Sequence, residues 1–484
     1  MVRSLASCPL AALVPLLCAA SLAAQSSNSP PPLPGAKAEP AAEPKPWRLQ
    51  DRVGGPSWLK VSGEQRSRYE TLDHEYRFRT PRAGATPPVQ GYSDTADVLA
   101  LRTSLLLEAK GETLGGAVEF LDSRQYGTGE NGFIDSTMVN TFDLLQAYAD
   151  LQLGKLGGGK HRLRVGREAV DLGSRRFMAR NAFRNTINSF NAIDWQWTGE
   201  GQSVRAFWSM PTERRPAAQD ALADNDWDAD DQSLDTQFWG LFHDRKLDDR
   251  TTAEVFLLGL DEHGTATRQR SLFTPGVRVF RTRKPGNFHY EAEAAGQLGH
   301  SKANTSASSP LLDHRAAFVM GALAYTADVA WQPGLQLSWT YASGDQDPND
   351  GDNERFDTLF GARRFEYGPT GIWGAVARAN LNSPEVRLLL QPSKVVDVLF
   401  AVRPVWLAEE RDAWTSANLR DSSGRSGKHV GTQYEVRLRW DLLPKSFQLE
   451  TGAVYLAEGD FQDRASSGQG QSSSYAYVQC TWFF

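Results

Sequence analysis

Arginines and carboxylates recur at alternate positions along several segments of this chain, with apolar residues between them. Lys60, Glu64, Arg66, Arg68 and Glu70 share one face of a first segment, and Leu59, Val61 and Tyr69 share the other. Arg102, Glu108 and Lys110 oppose Leu99, Leu101, Leu105 and Leu107 in a second. Asp150 and Asp194, then Arg162, Arg164 and Arg205, continue the polar set. So do Arg278, Glu291, Glu293, Arg387, Asp397, Arg403, Glu435, Arg437, Arg439, Asp441 and Glu450. A guanidinium offers a planar fork that binds both oxygens of a carboxylate, so a group of unpaired arginines suits an anionic solute. Rings of such residues bias a pore toward anions. The competing reading is cross-strand ion pairing that merely solvates a polar wall. The candidate solute-binding set is Glu64, Arg66, Arg68, Arg102, Asp150, Arg164, Arg387, Arg437 and Arg439.

The elements that position these groups read as β-strands, since strict alternation puts successive side chains on opposite faces. Strands of about ten residues with one apolar face have the length of a tilted transmembrane strand. Eight short connections alternate with nine long polar ones. The short set is Gly111–Leu114, Gly154–Lys160, Gly199–Gly201, Leu247–Arg250, Lys284–Gly286, Ala330–Gly334, Gln391–Lys394 and Leu442–Lys445. Together they join about eighteen strands, or sixteen if the weakest near Arg162–Gly166, Ile193–Thr198 and Glu385–Leu390 fail. The expected fold is all-β: a closed antiparallel transmembrane barrel with short periplasmic turns and long extracellular loops. The last segment, Ser473 to Phe484, alternates Val478, Cys480, Trp482 and Phe484 against Tyr477, Gln479 and Thr481. Such a strand needs a neighbour on both edges, which closure onto the first strand supplies.

Composition agrees with this reading. The chain has 484 residues, a net charge of −6 and 40% hydrophobic residues. Its mean hydropathy of −0.46 is too polar for a bundle of membrane helices, whereas only alternate residues of a barrel strand meet lipid. Residues 1–24 read as a secretory signal: Arg3, an apolar run Leu10–Leu22, and small residues at Ala23 and Ala24. Cys18 follows the bulky Leu17, which does not suit a lipid-attachment site. Residues 25–56 read as a disordered Pro/Ala/Ser-rich lead-in and 57–484 as the barrel. Of three cysteines only Cys480 remains in the mature chain, facing lipid, so no disulfide framework exists.

Several short segments resemble the alginate-export family of outer-membrane channels. They are Gly63-Glu-Gln-Arg-Ser-Arg-Tyr-Glu70, Val165-Gly-Arg-Glu168 leading to Gly173 and Arg176, and Asn185 with Ser189-Phe190. The last is Tyr341-Ala-Ser-Gly-Asp345, leading through Pro348 and Gly351 to Phe356 and Leu359-Phe360. The resemblance covers about Trp58 to Phe484 and adds Arg176 to the candidate set. It implies an eighteen-stranded barrel whose positive pore passes a uronic-acid polymer. Ser174-Arg175 depart from the acidic residues expected there, and Gly361 and Phe365 from Pro and His. A gate must come from the long loops, chiefly Gly344–Ser383.

Other chemistries are weaker. His289 with Glu291 and Glu293 is the one cluster that could serve a barrel hydrolase, and it lacks a placed nucleophile. The acidic stretch Asp345 to Glu354 fails the EF-hand spacing, since Phe356 stands where the bidentate Glu belongs. No zinc motif, phosphate-cradling loop or other cofactor signal is present, and the negative charge argues against nucleic acid. The expected protein is a non-enzymatic outer-membrane channel of a diderm bacterium for an anionic polysaccharide or oligosaccharide. The alternatives are a porin-type channel for small anionic solutes and an outer-membrane barrel hydrolase. Its expected partners are outer-membrane lipid, lipopolysaccharide, the glycan and any periplasmic export machinery.

Overall fold

A computed structural model describes residues 47–78, 92–129, 131–264, 267–466 and 470–484. The expected signal segment, residues 1–24, and most of the expected lead-in lie outside the described residues. The described remainder of the lead-in holds a short helix, Leu49–Val53.

Eighteen strands form one closed antiparallel barrel. They are β1 (Leu59–Asp73), β2 (Thr95–Ala109), β3 (Leu114–Tyr126), β4 (Asn140–Leu156), β5 (Gly159–Glu168), β6 (Phe190–Gly199), β7 (Gln202–Pro211), β8 (Thr236–Lys246) and β9 (Thr251–Glu262). Then follow β10 (Ser271–Arg281), β11 (Asn287–Lys302), β12 (Leu311–Thr326), β13 (Gly334–Ala342), β15 (Leu381–Ser393), β16 (Val396–Trp406), β19 (His429–Leu443), β20 (Phe447–Glu458) and β21 (Ser473–Phe483). A two-residue strand, β14 (Asp352–Asn353), pairs in parallel with β12, and β17 (Ala413–Trp414) with β18 (Leu419–Arg420) makes a small separate hairpin. Each barrel strand pairs with its sequence neighbours in the barrel, and β21 closes on β1 with Arg66 opposite Thr481 and Tyr69 opposite Val478. Closure satisfies the backbone donors and acceptors that an open edge would leave bare in hydrocarbon. The short turns follow in the order the alternation assigned them, although β4 runs through Gly154 to Leu156 and β15 through Gln391 to Ser393, and the three weakest segments are all strands.

Burial follows the same period of two. Leu298, Val319, Leu323 and Leu337 are exposed on the outer face, while Arg66, Arg68, Arg102, Glu293 and Gln479 are buried on the inner one. Cys480, beside Ser67 and Leu449, belongs to the outer set. Trp58 and Trp331 lie exposed near the periplasmic turns, and Tyr69 and Tyr126 near the opposite ends. Amphipathic rings favour those two boundaries. No helix among the described residues is long and apolar enough to cross a membrane, a test that does not bear on strands.

The apolar core is inside the barrel. Two long loops, 169–189 after β5 and 343–380 after β13, turn inward and pack against the wall. Phe177 and Phe356 join Phe256 and Phe318 of β9 and β12, with Phe177 edge-on to Phe318 at 5.7 Å. Trp373 stacks on Tyr475 of β21 at 5.7 Å, and Tyr76 bridges Trp373 to Trp414. Backbone bonds tie the loops together: Phe360 N donates to Phe177 O (3.0 Å), and Ala362 N to Arg175 O (2.9 Å). The lumen is therefore narrowed by two cross-linked loops, of which the sequence pointed only to the second.

Candidate functional site

The first inward loop is held by arginines of the wall. Arg66 Nη1 donates to Ala182 O (2.9 Å), and its Nη2 to Arg184 O (2.8 Å) and Asn185 Oδ1 (3.0 Å). Arg68 Nη1 donates to Phe183 O (2.5 Å), while its Nε pairs with Glu70 (2.9 Å). Arg102 Nη1 donates to Ala182 O (2.7 Å), and its Nε pairs with Glu64 (2.9 Å). A guanidinium has five donors in a fixed fork, so one side chain can satisfy several carbonyls that leave regular structure inside the barrel. Asn185 Nδ2 lies within bonding distance of the carbonyls of Leu101, Arg124 and Met138.

Ion pairs centred on Glu366 fasten the second loop. Arg176 Nε donates to Glu366 Oε1 (2.6 Å), and its Nη1 meets Glu291 (2.5 Å) and Glu293. Arg378 Nε reaches Glu366 Oε2 (2.8 Å). Burial pushes the Glu366 carboxyl up, but Arg176 and Arg378 outweigh it and hold the group down at about 2. Arg387 and Arg403 donate to the carbonyls of Phe365 and Glu366 from the wall. Arg364 reaches across to Glu435 (2.8 Å), Glu450 (3.1 Å) and Tyr477 Oη (2.8 Å). Breaking one buried member of such a network typically costs about 3–5 kcal/mol, since it strands an uncompensated charge.

The departures from the family pattern now have physical reasons. A Cβ on Gly361 would lie 1.7 Å from Arg176 O, so only glycine permits the loops to meet there. Ser174 Oγ donates to Glu293 (2.9 Å). The Phe365 ring lies under the guanidiniums of Arg175 (4.7 Å), Arg176 (5.6 Å) and Arg378 (5.8 Å), a favourable cation–π placement.

The sequence-derived candidates are all inside the barrel, and each has a partner. Arg164 binds Asp150 through two bonds (2.8 and 2.9 Å) and lies 3.7 Å over the Tyr148 ring. Arg437 reaches Asp397 (3.4 Å), and Arg439 binds Glu450 (2.9 Å). Arg66, Arg68, Arg102, Arg176 and Arg387 hold loops, as described. Glu291 and Glu293, grouped with His289 in the sequence, are taken by Arg176 and Arg278. Among the described residues no group of three or more metal-ligating side chains is assembled.

A different set stands without carboxylates. Arg184, Arg214 and Arg363 line one cavity of about 360 Å³ between the two inward loops, with Asn188 and Thr358. Arg214 donates to Ser136 O and Asn188 Oδ1, both at 2.9 Å, and Arg363 donates to Val376 O (3.2 Å). The Arg184 guanidinium makes no hydrogen bond or ion pair among the described residues. Burial and the charges of Arg363 and Arg214 lower its pKa to about 9, and Arg214 and Arg363 are also shifted down, chiefly by burial. Asp135 attracts all three from beyond ion-pair distance. Strand periodicity could not reveal these residues, which sit in loops; the signal was the arginine content of 175–184, 214–215 and 363–364.

The sequence pattern described as "Alginate export" matches residues 68–478. The chain belongs to the alginate-export family. Three solved outer-membrane proteins share its fold at low identity. The Pseudomonas aeruginosa protein OccK9 (OpdG) is 11% identical, with 88% of this chain and 98% of that one covered and a TM-score of 0.56. P. aeruginosa OccK8 (OprE) is 10% identical over the same shares, with a TM-score of 0.55. A BenF-like porin from Pseudomonas fluorescens Pf-5 is 10% identical, covering 88% and 99%, with a TM-score of 0.55. No curated protein matches at the level of sequence. Family and fold together make this member of the alginate-export family an outer-membrane channel.

Proposed function

We propose that the channel passes an anionic glycan, a uronate polymer or oligomer, by selective passive diffusion past Arg184, Arg214 and Arg363. The observation that carries this reading is the trio itself: three guanidiniums share one cavity with no carboxylate in ion-pair contact. Mutual repulsion at an effective dielectric of about 20 makes such a grouping costly unless an anion visits it. A carboxylate there would accept two bonds from one fork and relieve its neighbours. The wall arginines act at one remove, by holding the loops that present the trio. Transport of this kind needs no catalysis. Lipid and lipopolysaccharide surround the outer belt, and periplasmic machinery would deliver the polymer.

A second reading, a porin for small carboxylates, is favoured by the modest size of the cavity. One structural neighbour, OpdK of P. aeruginosa, was solved with vanillate, at 10% identity and a TM-score of 0.52. Single-channel recording separates the readings. Blockade by oligouronates at concentrations where benzoate does nothing supports the glycan; the reverse supports the small solute. Cation selectivity of the native channel overturns both.

A further inference from the structure

A second cavity, of about 540 Å³, lies at the periplasmic end, between the helix Leu49–Val53 and the inner wall of β1 to β3. β1 begins before β21 can pair with it: the register starts at Glu64 opposite Phe483, with Gly63 and Phe484 exchanging backbone bonds (2.8 and 3.0 Å). The side chain of Gln50 covers part of the remaining edge, its Oε1 accepting from Val61 N (2.6 Å). Arg48 Nη1 donates to Lys445 O (3.0 Å), and the Trp47 ring meets Phe484 edge-on at 6.4 Å. Three fastenings thus set the helix against the barrel as a wall of the cavity.

The lining differs in kind from the arginine trio. Its charges are of both signs: Arg48 and Asp51 stand on the helix side, Lys60 pairs with Glu108 (2.6 Å), Glu64 with Arg102 (2.9 Å), and Glu119 lies 3.8 Å from Arg180. Beside these charges the lining brings the hydroxyl side chains of Ser62 and Ser104, the amide of Gln50, and the apolar side chains of Leu106 and Phe483. Hydroxyls and an amide beside apolar faces fit a ring that is polar at its edge and C–H-bearing on its face. Three carboxylates against two cations give this lining no preference for an anion.

We propose that this chamber is a periplasmic binding site for the hydroxylated ring of a sugar, independent of its carboxylate. It rests on the channel reading and adds to it a first station that grips the ring before the trio meets the charge. The test is single-channel recording of the whole protein with neutral maltohexaose added to one side at a time. Brief blockades are expected from the periplasmic side only. They should fall about tenfold in frequency in Ser104→Trp, which fills the chamber, and in a chain lacking residues 25–56, which removes the helix and leaves every barrel strand intact. Equal blockade from both sides, or unchanged blockade in both variants, overturns the proposal. A protein that carries no current at all would instead overturn the channel reading on which it rests.

Discussion

Arg176 and Glu366 meet at 2.6 Å although 190 residues separate them, and this contact joins the two loops that narrow the barrel. The pair does not stand alone, because Arg378 binds the other oxygen of the same carboxylate. The passage is thus clamped by a buried group whose removal leaves Arg378 without a carboxylate and unties Arg176, still paired with Glu291 and Glu293, from the second loop.

Glu366→Gln keeps the shape and removes the charge. The barrel wall should still assemble, since no strand contact changes, but the loop packing should weaken by about 3–5 kcal/mol. Open-channel current noise should rise, and a protease should cut within 343–380 faster than in the native protein. Quiet currents and unchanged cleavage would contradict the clamp.

Reversing charge at the trio should alter selectivity directly. Arg184→Glu and Arg363→Glu are expected to move the reversal potential in a KCl gradient toward the cation value. Arg66→Ala should instead loosen residues 182–185, whose carbonyls and amide it binds, with a smaller shift in potential. Equal shifts from both kinds of variant would place Arg66 among the selecting groups.

The lowered pKa of Arg184 predicts a pH dependence with a defined sign. At neutral pH the group is charged and attracts anions. Raising the pH through about 9 removes that charge, so anion selectivity should decline there and recover on acidification. Reversal potentials recorded between about pH 7 and 10 should show this step, and Arg184→Gln should abolish it.

The outer belt predicts a stability effect with no effect on solute. Val319 lies mid-strand in β12 on the exposed face. Val319→Arg should cost about 2–4 kcal/mol if it lies near the midplane, which heat-dependent gel mobility of the folded barrel would detect. Val319→Leu should leave mobility unchanged.

Much of the wall was legible because a period of two is written residue by residue. Leu99, Leu101 and Leu105 oppose Arg102 and Ser104 in the sequence as they do in β2. The fate of the inward arginines was not legible. Arg66 and Arg68 bind carbonyls more than a hundred residues away, and no local pattern encodes a loop's decision to turn inward. The trio escaped for the same reason, as Arg184, Arg214 and Arg363 come from three separate loops. Gly361 was noticed only as a departure, and its necessity emerged from the nearness of Arg176 O.

Since inserted segments fill much of the lumen and the staves carry them, container and lining can vary independently. Exchange of residues 169–189 and 343–380 between relatives could re-tailor the cargo while hydrogen-bond register around the cylinder stays as it is. Diversification of solutes within one architecture would then need only a few dozen positions.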